Sequence, residues 1–388
     1  RYTTAFVLIR RRHNRVSPVD PRDLRADIPA LQEAAYLNFG AHGPSPEFVV
    51  EAASEMLADH EFNSGHADPY KTAFASYDDA RERIAALIGA DPAEVALTES
   101  TTDGINRIAT AIDFEPGDVV VRTDLEHPAG VLPWQQLKDE GVEVRVVETT
   151  DGRVDIDAYT EAVADARLVC FSAVTWTHGT LLPVEQLVDI AADAGAFTLV
   201  DAVQVPGELS IDVHEWGADA VAAAGHKWLL GPWGSGFLYV NREAAGDLVP
   251  AAVGYRSVTD PTGDEIEYKP GAKRFEIGTT SPAPHAGLID AIDAIDSVGI
   301  DTITDRIETL TDRLKAGVPD DALLSPQAHE SGLVTVSVDD PEAVVERSAE
   351  NDIVIRSLPH PDAIRVSVHA VSTAAEMDAV IEMLEAET

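Results

Sequence analysis

The sequence predicts an α/β protein: a mostly parallel sheet flanked by helices, followed by a smaller C-terminal α+β domain. Two observations carry that expectation. From Glu94 onward, short β-branched apolar runs alternate with stretches of helical period, the pattern of strands buried on both faces and their crossover helices. After Ser281–Pro284 the spacing changes to longer helices and short strands. The length of 388 residues, 45% of them hydrophobic, allows two to three domains and a large core.

Taken in order, Val95–Thr98, Val119–Arg122, Val142–Val147, Leu168–Val174 and Phe197–Val200 read as strands, with Thr102–Phe114, Val131–Glu140, Ile156–Ala166 and Val184–Ala194 as the helices between them. Helices Ala286–Val298, Asp301–Ala316, Pro341–Asn351 and Thr373–Glu385, with strands Leu333–Val338, Ile353–Ser357 and Ala363–Val368, make the second domain. The Pro/Gly-rich stretch Val258–Gly271 reads as an exposed loop. The division expected is an N-terminal arm over residues 16–45, a large domain over 46–283 and a small domain over 284–388. Residues 1–15 stand apart, since Arg1, Arg10, Arg11, Arg12 and Arg15 occur there without one acid; they are expected to be a non-native or disordered extension, with the true chain beginning near Val16.

Charge narrows the function. Against 68 Asp+Glu there are 28 Lys+Arg, a net charge of -40, and only six of the basic residues are lysines. The field of such a surface repels phosphate backbones and anionic bilayers, which argues against nucleic acid and membrane partners. No apolar stretch approaches the roughly 20 residues of a membrane span. A carboxylate-dense, lysine-poor surface stays hydrated where salt screens charge beyond a few ångströms, so a halophilic, cytoplasmic protein is expected. The single cysteine, Cys170, lies in the apolar run Leu168–Ser172 and reads as core, with neither a disulfide framework nor a Cys-x-x-Cys zinc cluster; no metal is expected.

One of the six lysines, Lys227, follows Gly225 and His226 at the end of the apolar run Ala222–Ala224, a placement that surface charge does not explain. Burial lowers the pKa of an amine, and Schiff-base chemistry requires an amine that can lose its proton. Asp201 ends the run Phe197–Val200, at the edge where open α/β sheets bind their ligands. A lysine that forms an imine and a carboxylate that keeps a pyridine nitrogen protonated are what a protein contributes to pyridoxal-phosphate chemistry.

Several motifs, in one order over roughly residues 36–370, resemble the class V aminotransferase family of pyridoxal-phosphate enzymes with the type I fold, which includes cysteine desulfurases, selenocysteine lyases and isopenicillin-N-epimerase-like proteins. Thr98-Glu99-Ser100-Thr101-Thr102-Asp103-Gly104 is similar to the phosphate loop, so Ser100, Thr101 and Thr102 are implied phosphate ligands. Glu126-His127-Pro128-Ala129 is similar to the stretch whose histidine stacks on the cofactor ring. Asp201 and Gln204 match the partners of the pyridine nitrogen and the phenolic oxygen; His226 and Lys227 match the phosphate-contacting histidine and the aldimine lysine. Arg274-Phe275-Glu276-Ile277-Gly278-Thr279 resembles the element that lends a threonine to the neighbouring subunit's phosphate, which implies a homodimer. Arg365-Val366-Ser367-Val368-His369 resembles the strand whose arginine binds the substrate α-carboxylate. Taken singly, Thr101 and Thr102 serve as well for a helix N-cap, Asp201 for a turn cap, His127 for a loop histidine and Arg365 for a salt-bridged arginine; their joint order carries the resemblance.

Three departures bear on the reaction. Desulfurases of the family carry a nucleophilic cysteine shortly before the arginine strand, and the stretch Ile353–Arg365 has none. Trp176 stands where they have an asparagine, and Ala224 where a serine usually precedes Gly-His-Lys. The resemblance implies an amino-acid substrate whose carboxylate meets Arg365 and whose α-proton goes to Lys227, through a quinonoid common to transamination, racemisation and lyase outcomes. Desulfurase, selenocysteine-lyase and epimerase types all stay open, as does a scaffold of the same fold without turnover. His42, His360 and Trp176 are candidate substrate-side groups. Neither a Gly-x-Ser-x-Gly elbow nor a Gly-x-x-x-x-Gly-Lys loop occurs, which disfavours a hydrolase or a nucleotide-binding protein.

Overall fold

A computed structural model of the chain describes residues 20–385, and the expectation for residues 1–15 lies outside them. The strands in chain order are β1 (Ala35–Tyr36), β2 (Val95–Thr98), β3 (Val119–Thr123), β4 (Glu143–Val147), β5 (Thr149–Thr150), β6 (Arg153–Val154), β7 (Leu168–Ser172), β8 (Phe197–Asp201), β9 (Ala220–Ala224), β10 (Gly236–Val240), β11 (Leu333–Val336), β12 (Ile353–Val354), β13 (Arg356–Leu358) and β14 (Ala363–Ser367). The central sheet has seven strands in the order β2-β10-β9-β8-β7-β3-β4. Pairing is parallel from β9 through β4, and only β10, between β2 and β9, runs against its neighbours. The α/β class with a mostly parallel sheet is therefore what the chain adopts.

Strand residues alternate between two cores, as the two-residue period of a sheet requires. Val95, Val119, Val121, Val169, Phe171, Val200, Val221 and Phe237 enter one face; Ala96, Val120, Leu168, Cys170, Leu199, Ala220, Ala222 and Leu238 enter the other. Helices α1 (Pro21–Ala26), α2 (Glu47–Phe62), α3 (Pro69–Ile88) and α4 (Thr101–Ala109) open the helical layer. The first core takes α3 through Ala73, Tyr77, Ile84 and Ile88; the second takes α4 through Ile105 and Ile108. Gly104 is needed where α4 crosses β9, since a Cβ there would stand 3.2 Å from that of Ala222. Helix α2 escapes sequence periodicity because Val50, Leu57 and Phe62 break its apolar stripe and remain exposed.

Two sequence expectations change. The helix expected to run to Phe114 stops at Ala109: the Thr110 hydroxyl donates to the Asn106 carbonyl at 2.7 Å, and Ala111 and Ile112 reach the core from a turn, so their apolar character marks burial without helix. The run expected as one strand, Ile353–Ser357, divides into β12, which pairs with β1 of the arm, and β13, which pairs with β14. β11, β14 and β13 form a separate three-stranded sheet whose core holds Val334, Ile364 and Val366 with Leu37 of the arm.

This second sheet is tied to the loops at the strand ends of the first. Thr335 Oγ1 donates to the Thr177 carbonyl at 2.5 Å, Ser331 Oγ to Gly179 at 2.7 Å, and the Gly332 N–H to the buried Glu208 carboxyl at 2.8 Å. The arm closes from the other side, where the Gly43 N–H donates to the His226 carbonyl at 2.8 Å. A Cβ at position 43 would lie 2.0 Å from the Lys227 carbonyl oxygen. Gly43→Ala is therefore expected to lower stability by about 1–3 kcal/mol, read as an earlier urea midpoint with an unchanged slope.

Candidate active site

In a parallel sheet the loops after the strands share one edge, so the C-terminal ends of β2, β3, β7, β8 and β9 bring residues distant in sequence to one place. They enclose a cavity of about 210 Å³. Ten of the residues singled out in the sequence line it: Ser100, Thr101, Thr102, His127, Trp176, Asp201, Gln204, His226, Lys227 and Arg365. Two do not. His42 packs outside His226, where its Nδ1 accepts the indole N–H of Trp233 at 2.7 Å, and Thr279 is exposed, its N–H donating to the Tyr255 hydroxyl at 3.0 Å. His360 is exposed beyond the cavity as well.

Lys227 follows β9 by three residues and Asp201 ends β8, in register with Ser172 on β7 and Ala222 on β9. Desolvation lowers the Lys227 amine to about 7; Asp201 opposes that fall, while Arg365 and Arg356 add to it. Burial raises the Asp201 carboxyl, against which the Val203 N–H, donating at 3.0 Å, and the charge on Lys227 act. The segment after Lys227 is locked: Trp228 donates its indole N–H to Gln204 Oε1 at 2.8 Å, and its carbonyl lies 3.0 Å from His369 Nε2. Gln204 spends one amide proton on the Gly40 carbonyl at 3.0 Å, which leaves the other for the cavity.

At one end of the cavity lies the N-terminus of α4. Ser100 is its N-cap, accepting the Asp103 N–H at 3.1 Å, and the neighbouring Thr101 hydroxyl is buried without a hydrogen-bond partner. A helix N-terminus with an orphaned hydroxyl suits an anionic group, as the phosphate-loop resemblance implies. His226 beside it is lowered to about 4 by burial, with Lys227 and His42 adding to the shift. His127 is likewise lowered to about 4; its Nδ1 accepts the Ala129 N–H at 3.2 Å, which puts the ring proton on Nε2.

At the other end is Arg365 of β14, only 1% exposed. Its Nη1 donates to the Trp176 carbonyl at 2.8 Å, whereas Nε and Nη2 are buried without partners. The Trp176 indole nitrogen is unpartnered too, and its ring meets His127 edge to face at 5.3 Å. Unsatisfied buried donors are costly, so three of them around one cavity mark a site built for an anionic ligand. The sequence reading missed two groups. Arg356 lines the cavity, directly opposite Arg365 across the β13–β14 pair. Glu126 is buried beneath the site and accepts the hydroxyls of Thr123 and Ser172, each at 2.6 Å; burial pushes its carboxyl up to about 7 despite both bonds. An arginine and a glutamate carry no such meaning in sequence; only the strand register and the loop after β3 assign it.

A half-buried amine beside a carboxylate, with an anion seat at one end and an anion clamp at the other, defines a pyridoxal-phosphate-dependent enzyme. The family model for aminotransferase class-V matches residues 35–380, and the chain belongs to that family. A curated relative in Halobacterium salinarum, described as a probable cysteine desulfurase, is 32% identical over 401 residues, which cover 95% of this chain and 96% of that one. Among solved structures, a C-DES mutant with glycine covalently linked to its PLP cofactor superposes with a TM-score of 0.88 at 26% identity, covering 94% of this chain and 99% of its own. The cystine C-S lyase C-DES in complex with its reaction product, cysteine persulfide, gives a TM-score of 0.86 at 26% identity over 92% and 98% of the two chains. No helix among the described residues is long and apolar enough to cross a membrane.

The amine's depressed pKa has a measurable consequence. The rate at which an aldehyde reagent labels Lys227 is expected to climb through about pH 7 and level off above it, because only the neutral amine attacks. In Asp201→Asn the midpoint moves to lower pH, since the carboxylate that favours the cation is gone; mass-spectrometric labelling rates check both.

Proposed function

We propose that the chain is an amino-acid lyase of the class V aminotransferase family that cleaves a bond at the substrate β-carbon without an enzyme thiol. The carrying observation is the cavity's own inventory: Lys227, Asp201 and Arg365 converge there, and no cysteine does. Cys170 lies in β7 within the sheet core, buried and with its thiol pushed well above its ordinary pKa by desolvation, so it is no nucleophile.

Bound here, pyridoxal phosphate supplies a carbonyl that condenses with amines and a ring that accepts the electron pair left when a substrate α-proton departs. Lys227 would hold it covalently, Asp201 would face its ring nitrogen, His127 its face and Gln204 its phenolic oxygen. Ser100, Thr101, Thr102 and His226 would hold the phosphate. The partnerless Thr101 hydroxyl, the free Gln204 amide proton and the neutral His226 suit those tasks. Arg365 takes the α-carboxylate through its orphaned Nε and Nη2, which orients the α-proton toward Lys227 Nζ. An amine with a pKa near 7 accepts that proton and can return it at neutral pH. With no thiol to receive the departing β-substituent, it leaves into the cavity as a free anion.

The reading extends to a homodimer. Thr279 lies by the exposed side chains of Tyr255, 43% exposed, and Ile277, 41% exposed, and a second copy covering them would bring a threonine to the phosphate end. Sedimentation is expected to show a dimer, and Thr279→Ala to weaken cofactor retention without dissociating it.

Borohydride reduction of the cofactor-loaded protein, followed by peptide mapping, is expected to place the label on Lys227. Lys227→Ala should lose turnover of every amino acid by at least about a thousandfold. Product analysis on a panel of L- and D-amino acids, with and without 2-oxo acids, separates elimination from transamination and racemisation; new amino acid formed from the 2-oxo acid would defeat the lyase reading.

A further inference from the structure

We infer that His42 is a positioning residue: it pins the exposed indole of Trp233 against the outer face of His226, and this aromatic cap closes the phosphate end of the cavity. The cap's bearing on the cofactor rests on the reading of the cavity as a pyridoxal-phosphate site; the pinning itself does not.

Three rings from two distant segments meet here. The Trp233 ring stacks on that of His226, with centroids 5.1 Å apart and planes 29° apart, and meets the His42 ring at 5.5 Å. Trp233 is 66% exposed, so burial of its own surface does little to keep it there. It stands between Gly231 and Gly234 on the turn that leads into β10. The first residue of β10, Gly236, passes so close to the start of α4 that a Cβ on it would lie 2.4 Å from the Ser100 nitrogen. The indole therefore lies beside the anion seat, over a histidine that lines the cavity.

His42, by contrast, is fixed. Its carbonyl accepts the Tyr36 hydroxyl at 2.7 Å, its N–H donates to the Asn38 carbonyl at 3.1 Å, and the next residue, Gly43, donates to the His226 carbonyl. Its Nδ1 has two neighbours with opposite demands. The Trp233 N–H, at 2.7 Å, needs a bare nitrogen, whereas the His226 carbonyl oxygen, at 3.1 Å, needs a protonated one. Only one can be served. With Nδ1 bare the indole is held; with Nδ1 protonated the ring donates to His226 and the indole loses its acceptor. The titratable groups facing His42 are His226, Tyr36 and Lys227, whose carbonyl meets Gly43, and none is a carboxylate that would favour the imidazolium. Burial lowers the His42 pKa and outweighs the His226 carbonyl, which raises it. The closed cap is thus the neutral-pH state, and acid opens it. Opening bares the outer face of His226 to water and loosens the hold on the phosphate.

Acrylamide quenching reads the cap, because a neutral quencher is not repelled by the chain's charge of -40, and subtracting the signal of Trp233→Phe isolates one tryptophan of the five. Dialysis of the cofactor-loaded protein, followed by its visible absorbance, reads the seal. His42→Leu is expected to raise both Trp233 quenching and the rate of cofactor loss, the latter at least about fivefold. His42→Gln, whose amide oxygen accepts an indole N–H, is expected to restore most of the difference. In the native protein both readouts are expected to rise on acidification, at a higher pH than that at which His226 and His127, each lowered to about 4, take up protons; in His42→Gln that step is absent. Quenching unchanged in His42→Leu, a His42→Gln protein that behaves like His42→Leu, or quenching that rises without faster cofactor loss overturns the inference. So does a native protein without the acid step, which decides even if the His42 variants fold poorly. Borohydride labelling of Lys227 in the same samples separates the two claims: no label defeats the proposed function, while label with an unmoved quenching signal defeats only this one.

Discussion

The site depends on a lysine amine held out of bulk water at the end of β9, opposite the carboxylate that ends β8. Neighbouring parallel strands bring Asp201 and the turn that carries Lys227, three residues beyond β9, into one layer at the sheet edge, so strand order sets where amine and acid meet. Desolvation in that layer would neutralise both groups if either stood alone; each partly preserves the other's charge. A reactive amine near neutral pH results from that balance, and the rest of the cavity is arranged around it.

The two ends of the cavity come from different structural units. The anion seat at α4 belongs to the central sheet, while both arginines belong to the C-terminal three-stranded sheet. Their relative placement is maintained by polar contacts across the boundary: Arg365 to Trp176, Thr335 to Thr177, and His369 to the carbonyl of Trp228. His369 thus helps hold the residue after Lys227 from the far side, and the arm contributes through Gly43.

No thiol lines the cavity, since the chain's single cysteine is buried in β7. The positions where the resemblance fails, Trp176 and the stretch before Arg365, are also the walls of the substrate end. The cofactor end keeps the family's residue types apart from Ala224. Change confined to one half of a site is what alters substrate and leaving group while leaving the cofactor's electronics intact.

Much of this was legible in the chain. Buried strands announce themselves by unbroken β-branched runs, and Lys227, Asp201 and the Ser100–Thr102 turn are recognisable because a lysine after Gly-His and an acid at a strand end have no packing rationale. Other features were not. Helix α4 ends early because Ile112 is buried from a turn, and burial and helical period look alike over one turn of sequence. Sequence alone determined the fold class, which follows from local pattern, and through the order of its motifs the cofactor. Tertiary structure decided the rest: that Arg356 stands beside Arg365, that Glu126 lies buried beneath the site, and that Thr279 and His42 lie outside the cavity. Each is a relation between segments that only strand register and packing bring together, and a one-residue slip in β13 would turn Arg356 to the opposite face.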